Sequence, residues 1–199
     1  MSKIKICGLF RSCDIDYVNE AMPDYIGFVF AKSRRQVTKE QAKDMRKKLK
    51  ESITPVGVFV NEPIENVIML LRDDIIQAAQ LHGNESEDYI YKLKSLTKKT
   101  IIKAVSVKSK EDINNVQNTI ADFLLLDNGA GGTGNSFNWN LIDKTSKPFF
   151  LAGGINIDNI LHAKKGIRPY AIDLSSGVET NGVKDRNKML EIVRRIRYV

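Results

Sequence analysis

The 199-residue sequence lacks long hydrophobic runs, and no stretch approaches the roughly 18 apolar residues that a membrane-spanning helix needs. Its opening, from Met1 to Gly8, enters a strand-like pattern at once. It lacks the basic start, longer apolar region and small-residue cleavage site of a secretory signal. We therefore expect a cytoplasmic protein with no membrane partner.

Cysteine is also scarce, with Cys7 and Cys13 as the only two in the chain. The expected compartment argues against a disulfide between them. The chain has two histidines and no CxxC motif, so it lacks the usual spacing of metal ligands. The sequence therefore predicts no metal site.

Acidic residues are outnumbered, with 24 Asp and Glu against 31 Lys and Arg, which gives a formal net charge of +7. The basic residues are spread among acidic ones along helical stretches, and Arg46-Lys47-Lys48 is the nearest approach to a block. This distribution favours a solvated basic surface over nucleic-acid binding. The positive net charge suits an anionic small-molecule substrate.

Short runs rich in Ile, Val and Phe alternate with amphipathic stretches whose apolar residues recur every three or four positions. Continuous apolar runs are typical of strands buried on both faces of a parallel sheet. The predicted strands are Lys3–Cys7, Tyr25–Phe30, Pro55–Val60, Ala78–Leu81, Thr100–Val105, Asp122–Leu126, Pro148–Ala152 and Tyr170–Leu174. The predicted helices are Asp14–Ala21, Thr38–Lys50, Ile64–Arg72, Ser86–Leu96, Lys108–Asn115, Asn140–Asp143, Asn156–Lys165 and Asp185–Ile196, with Asp14, Thr38, Ser86 and Asn156 as N-caps.

Eight such strand–helix units in one chain predict a closed (β/α)8 barrel, or TIM barrel, that forms a single α/β domain over residues 1–199. An open doubly wound sheet is the alternative. That fold rarely needs eight strands in so short a chain, and the first turn lacks the G-x-G-x-x-G fingerprint of dinucleotide binding.

Functional residues of a TIM barrel lie at the C-terminal ends of its strands. Gly153 and Gly154 follow predicted strand seven, and Ser175, Ser176 and Gly177 follow strand eight. The loops after these two strands are the usual phosphate site of the fold, where backbone N–H groups bind the anion. Tight turns would explain either group alone, but both together favour phosphate binding.

Other strand ends carry candidate acid, base and binding groups. Cys7 is a candidate base if the pKa of its thiol is lowered, and otherwise a small buried hydrophobe. Asp127 is a candidate acid if its pKa is raised, and otherwise a loop-capping carboxylate. His82 could contact a ligand, act as a base or be a hydrogen-bonded core residue. Arg35, beside Arg34, could hold a carboxylate bidentately or lie at the surface.

The segment after Asp127 contains four glycines, at positions 129, 131, 132 and 134, followed by Phe137 and Trp139. The glycines alone suggest a phosphate cradle. Since the loops after strands seven and eight already occupy the phosphate position, we expect these glycines to form a lid over Asp127 instead. Phe137 and Trp139 would anchor its far end to the barrel.

Seven motifs follow one another along the chain at the spacing of barrel strands. They are Lys5-Ile-Cys-Gly-Leu9; Gly27-Phe-Val-Phe30 with Ser33 to Arg35; Val56-Gly-Val-Phe-Val-Asn61; Gln80-Leu-His-Gly83; Leu125-Leu-Asp127 with Gly131 to Gly134 and Phe137-Asn-Trp139; Leu151-Ala-Gly-Gly154; and Asp173 to Glu179 with Gly182 and Lys184-Asp185. With these motifs the chain resembles the phosphoribosylanthranilate isomerase family from end to end. It departs from the family at Asn138, where Asp is usual, and at Arg34, where Pro or Lys is common.

The resemblance implies a TIM barrel that catalyses an Amadori rearrangement in tryptophan biosynthesis, converting N-(5-phosphoribosyl)anthranilate to 1-(2-carboxyphenylamino)-1-deoxyribulose 5-phosphate. It implies no metal or organic cofactor. Cys7 would be the general base, Asp127 the general acid and Arg35 the group that holds the anthranilate carboxylate. His82 and Asp173 are expected as further substrate-site residues, and the chain as a monomer or homodimer.

Two other functions are weighed against this one. A different isomerase of the phosphate-binding barrels is not expected to place Cys after strand one together with Asp after strand six. A non-catalytic phosphosugar-binding barrel would have no need of both Cys7 and Asp127.

Overall fold

The computed structural model describes residues 2–129, 136–142 and 145–199. Eight parallel strands close into a barrel in sequence order, and β8 pairs with β1. The predicted TIM barrel is thereby confirmed. The strands are β1 Lys3–Cys7, β2 Tyr25–Val29, β3 Thr54–Phe59, β4 Ala78–Leu81, β5 Thr100–Ser106, β6 Phe123–Asp127, β7 Phe149–Leu151 and β8 Ala171–Leu174.

Helices cover the outside of the barrel. They are α1 Ser12–Ala21, α2 Lys39–Lys48, α3 Ile64–Arg72, α4 Glu87–Leu96, α5 Lys110–Asn114, α6 Ile160–His162 and α7 Arg186–Tyr198. A short antiparallel hairpin, β9 Glu179–Thr180 and β10 Val183–Lys184, precedes α7 and was not predicted. Within the described residues, no helix is long and apolar enough to cross a membrane.

The predicted caps at Thr38 and Ser86 are confirmed, since both hydroxyls accept a backbone N–H of the first helical turn. The cap predicted at Asp14 is wrong. Helix α1 begins at Ser12, and the Asp14 carboxylate reaches back to accept the backbone N–H of Arg11 at 3.0 Å. Acidic residues are common both at the N-cap and at the third position of a helix, so the sequence pattern placed the start two residues too late.

The described residues on either side of β7 depart from the helices predicted there. Before β7, the described part of the predicted helix is a single 3₁₀ turn, Trp139–Leu141, and Asp143 lies outside the described residues. After β7, the helix predicted from Asn156 begins at Ile160 and continues as a π-helical turn, Ala163–Ile167. The Asn156 side chain instead closes a preceding turn by accepting the N–H of Asp158 at 2.9 Å.

The barrel interior has an apolar floor and a polar upper layer. Aromatic rings of Tyr25, Phe123, Phe150 and Tyr170 pack against one another at the N-terminal end. The next interior layer is apolar and fully buried; it contains Val56, Ala78, Ile102 and Leu125. Above it lie buried polar side chains, namely Lys5, Gln80, Asp127 and Asp173. Burying polar groups costs stability, so this upper layer marks the functional end of the barrel.

Candidate active site

A cavity of 390 Å³ opens at the C-terminal end of the barrel, among the loops that follow six of its strands. Its lining includes Cys7, Arg35, His82, Asp127, Gly153, Gly154, Asp173, Ser175 and Ser176. Gly177 lines an adjoining cavity together with Gly154 and Ser176. The structure thus brings the site residues expected from the sequence to one end of the barrel.

Asp127 is the last residue of β6 and is 6% exposed. Its Oδ1 accepts the backbone N–H of Asn128 at 2.7 Å. A Cβ at Gly153 would lie 2.8 Å from the same oxygen, so glycine at that position makes room for the carboxyl group. Burial raises the pKa of Asp127, which favours the protonated form that a general acid needs.

Cys7 is the last residue of β1 and is half-buried with a free thiol. Gly27 on β2 lies against it, because a Cβ there would come within 2.6 Å of the sulfur. Burial raises the pKa of the Cys7 thiol, while the positive charges of Lys5 and Lys184 lower it. The net direction is upward, so the free site favours the thiol, and a thiolate base must form against burial.

His82 lies directly after β4, between Gln80 and Asp127. Its Nδ1 is 2.8 Å from the Gln80 side-chain nitrogen, and its Nε2 is 3.7 Å from Asp127 Oδ2. Burial and the charge of Lys5 lower the pKa of His82, so the ring is held neutral. If Nδ1 accepts from the Gln80 amide, the ring proton sits on Nε2 and faces Asp127.

Arg35 is held over the site by Glu179 of the hairpin. Its Nε and one terminal nitrogen donate to the two Glu179 oxygens at 2.7 and 2.8 Å. Lys184 donates to the same carboxylate at 2.6 Å, and Arg34 at 3.0 Å. Burial acts to raise the pKa of Glu179, but these partners outweigh it and the pKa is lowered, so the carboxylate stays charged.

The two arginines differ in position. The Arg34 side chain is 57% exposed, whereas that of Arg35 is 10% exposed and lines the cavity. The Arg35 stem crosses Gly8, where a Cβ would lie 2.5 Å from Arg35 Cδ. Glu179 occupies two of the five N–H donors of Arg35, which leaves the others for a second carboxylate.

The expected phosphate loops lie against each other. Gly153 and Gly154 adopt positive φ angles of 82° and 62°. A Cβ at Gly177 would lie 2.0 Å from the carbonyl oxygen of Ile155, so glycine allows the loop after β8 to approach the loop after β7. Ser175 ties this region to β1 by donating to the Cys7 carbonyl oxygen at 3.3 Å. Backbone groups of both loops can therefore reach one anion.

Asp173 lies on β8 beside β1. Its Oδ2 accepts a hydrogen bond from Lys5 Nζ at 2.8 Å, and the pair is buried. Its Oδ1 is also buried and has no hydrogen-bond partner in the described part of the chain. Because a buried acceptor is costly when unpaired, this oxygen is suited to accept a substrate hydroxyl.

The glycines of the predicted lid at positions 131, 132 and 134 lie outside the described residues. Gly129 is described, with φ +82°, and packs so closely on Ser106 that a Cβ would lie 2.0 Å from its hydroxyl. Beyond the glycines, Trp139 is buried and stacks on His162 with ring centroids 5.5 Å apart, and Phe137 packs on the core. Asn138 caps this turn, since its Oδ1 accepts the N–H of Asn140 at 3.1 Å.

Four charged or polar side chains of the site were not predicted as functional, and one of them, Lys5, lies within the first sequence motif. Glu179 and Lys184 lie within the last sequence motif, and Gln80 within the fourth. Burial in the structure marks Gln80 and Lys184 as functional candidates most clearly, because each is a polar residue that the fold buries almost completely. In the residues described, no group of three or more His, Cys, Asp or Glu is arranged to hold a metal ion.

Known proteins similar to this chain match it over the whole barrel. Residues 4–195 match the family model described as N-(5'phosphoribosyl)anthranilate (PRA) isomerase. The chain is 50% identical over 201 residues to N-(5'-phosphoribosyl)anthranilate isomerase of Endomicrobium trichonymphae, with 99% of each chain covered. It superposes on the phosphoribosyl anthranilate isomerase crystal structure from Thermotoga maritima with a TM-score of 0.90 and 33% identity, covering 100% of each chain.

A second solved structure shows a phosphoribosyl anthranilate isomerase in complex with reduced 1-(o-carboxyphenylamino)-1-deoxyribulose 5-phosphate; it matches with a TM-score of 0.87 and 32% identity, covering 100% of each chain. Full-length identity at these levels goes beyond a shared barrel, which many unrelated activities use. The chain belongs to the N-(5'-phosphoribosyl)anthranilate isomerase family.

Proposed function

We propose that this chain, an aldose–ketose isomerase by its family, works through Cys7 as general base and Asp127 as general acid. The reaction is the Amadori rearrangement of N-(5-phosphoribosyl)anthranilate to 1-(2-carboxyphenylamino)-1-deoxyribulose 5-phosphate, a step of tryptophan biosynthesis. The single observation that carries the assignment is that the Cys7 thiol and the Asp127 carboxyl line one cavity, which Arg35 and the loops after β7 and β8 also line.

Ring opening is the acid-catalysed step. Asp127, protonated, donates its proton to the furanose ring oxygen as the bond from that oxygen to C1 breaks. The anilino nitrogen lone pair forms the C1=N bond of an iminium ion. The raised pKa of Asp127 supports this role, because a buried carboxyl group retains a transferable proton at higher pH.

Proton removal from C2 is the base-catalysed step. The Cys7 thiolate takes the C2 proton, the C–H electron pair forms C1=C2, and the iminium electrons return to nitrogen. The resulting enolamine gains a proton at C1 and loses the one on its C2 hydroxyl to give the ketone. Since Asp127 ends ionised and Cys7 protonated, one proton must return from Cys7 to Asp127 before the next turnover.

Two anionic groups of the substrate would fix it across the cavity. The anthranilate carboxylate would bind the free donors of Arg35, which Glu179 holds in place. The phosphate would bind where Gly153 and Gly154 meet the loop of Ser175 to Gly177. Fixing both ends places C1 and C2 between acid and base, which lowers the entropic part of the barrier.

A fluorescence assay that follows loss of phosphoribosylanthranilate tests the proposal. We expect turnover by the native chain and a fall in kcat of roughly 10²- to 10⁴-fold in Cys7→Ser, with little change in KM, because serine is a far weaker base at the same position. Cys13→Ser is the matched control and keeps native kinetics. Near-native turnover by Cys7→Ser would refute the assignment of the base.

A further inference from the structure

Lys5 is a charged residue in the barrel interior that the proposed reaction does not use. It lies two residues before Cys7 on β1, so both side chains point to the same side of the strand. On β8, Asp173 is its direct register partner, and the two side chains meet at 2.8 Å. Lys5 is 0% exposed.

Keeping this ammonium group charged is costly in the interior, since an ion taken out of water loses its solvation. Burial acts to lower the pKa of Lys5, but the interactions with Asp173 and Cys7 outweigh it and raise the pKa. Burial also raises the pKa of Asp173, but the charge and hydrogen bond of Lys5 oppose burial there. Because each group stabilises the charge of the other at 2.8 Å, Lys5 remains a cation. An apolar residue would fill the same space without this cost, so the charge calls for a functional reason.

We propose that Lys5 is a positioning residue for the base: its ammonium group stabilises the thiolate form of Cys7 against the effect of burial, while Asp173 keeps the ammonium charged. The inference rests on the proposed role of Cys7. It assigns Lys5 no contact with the reacting atoms, and it leaves Asp173 Oδ1 free for the substrate.

The charged and titratable groups around Cys7 come from several elements of the barrel. These groups are Lys5, Asp173, Lys184, Asp127, His82 and Arg35. Lys184 also lowers the pKa of Cys7, but its ammonium donates to Glu179 at 2.6 Å and to the Ser175 carbonyl oxygen at 3.1 Å. Lys5 lies two residues from Cys7 on the same side of β1, and its charge lowers the pKa of Cys7 by more than the opposing charge of Asp173 raises it.

The test measures ionisation of Cys7 directly, without substrate. In a Cys13→Ser background, the rate of alkylation by iodoacetamide is followed against pH, and its midpoint reports the thiol pKa. We expect Lys5→Met to raise the midpoint by about one to three pH units, because an adjacent opposite charge shifts a pKa by that much. At neutral pH the alkylation rate falls correspondingly, by about tenfold or more.

Lys5→Met leaves the Asp173 carboxylate without its partner, so the double variant Lys5→Met, Asp173→Leu is made alongside it. Both charges are then absent, and the midpoint still rises, by less than in the single variant. Lys103→Met is the matched control: this lysine on β5 pairs with the buried Glu85 at 3.1 Å and is not one of the charges with the largest effect on the Cys7 pKa. Its midpoint should stay at the native value.

An unchanged midpoint in folded Lys5→Met or in the double variant would overturn the inference. A shift of the same size in Lys103→Met would also overturn it, since the effect would then be general. The assignment of Cys7 as the base is tested separately. If Cys7→Ser kept its turnover while Lys5→Met moved the midpoint, the Lys5–Cys7 interaction would stand and the assignment of the base would fall.

Discussion

Replacing Asp127 by Asn tests the proposed acid and the energetic cost of placing it in the barrel. The substitution keeps the shape of the side chain and an oxygen to accept the Asn128 N–H, but it removes the transferable proton. We expect kcat to fall by roughly 10²- to 10⁴-fold, the usual contribution of one proton-transfer group. KM should change little, because the proton moves only in the transition state.

The same substitution should increase stability at neutral pH. Burial raises the pKa of Asp127 above its unfolded value, so the folded state holds its proton more tightly. Below the unfolded pKa both states are protonated and the group costs nothing. As pH rises through the folded pKa the native protein loses stability, by about 1.4 kcal/mol for each unit by which the pKa is raised. The amide of the Asp127→Asn variant carries no charge, so the variant escapes this loss.

Steady-state kinetics and thermal unfolding between pH 4 and 8 measure both effects. The Tm of Asp127→Asn minus that of the native chain should grow with pH, by about 2–4 °C for each kcal/mol in a chain of this size. Asp122→Asn is the control, because Asp122 precedes the same strand at the opposite end and pairs with Lys94 at 2.5 Å. It should lose stability and keep kcat. Native turnover in Asp127→Asn, or a Tm difference that shrinks as pH rises, would refute the reasoning.

Two further predictions concern pH and the substrate carboxylate. The active form needs Asp127 protonated and Cys7 ionised, and burial raises the pKa of both groups. Below the carboxyl pKa the thiolate fraction of Cys7 decreases with falling pH, and above the thiol pKa the protonated fraction of Asp127 decreases with rising pH. Native kcat/KM should therefore fall tenfold per pH unit on each side. The residual kcat/KM of Asp127→Asn should lose the alkaline fall, and its persistence would contradict the assignment. Arg35→Lys should raise KM about 10- to 100-fold with little effect on kcat, as one charged hydrogen bond is lost. Arg34→Lys, at an exposed neighbour, should leave KM unchanged, and the opposite pattern would move the carboxylate site to Arg34.

The barrel could be predicted because its strands are buried on both faces and therefore read as apolar runs. The strands Lys3–Cys7 and Ala78–Leu81 have the bounds expected from the sequence. The connections around β7 could not be predicted as well. There, local side-chain contacts such as the Asn156 turn and the stacking of Trp139 on His162 decide the backbone path more than any periodicity does.

Candidate site residues could be predicted by one rule, namely that functional residues of a TIM barrel lie at the C-terminal ends of its strands. Cys7 and Asp127 are the last residues of their strands, so the rule finds them. It does not reach Lys5, which lies inside a strand, or Glu179, which lies in a hairpin after β8. Their roles depend on partners 168 and 144 residues away in the chain, and a single sequence does not show such pairings.

The raised pKa values of Asp127 and Cys7 bear on why a lysine should lie beneath the site. Between the two pKa values, the fraction of enzyme with Asp127 protonated and Cys7 ionised depends on the difference between them. Burial raises both pKa values. Lys5 lowers both pKa values. On Cys7 its charge is the largest influence after burial, whereas on Asp127 it acts less than the hydrogen bond from Asn128. Lys5 therefore brings the two values closer and enriches the active form, so Lys5→Met should lower kcat/KM between them even where Asp127 is untouched.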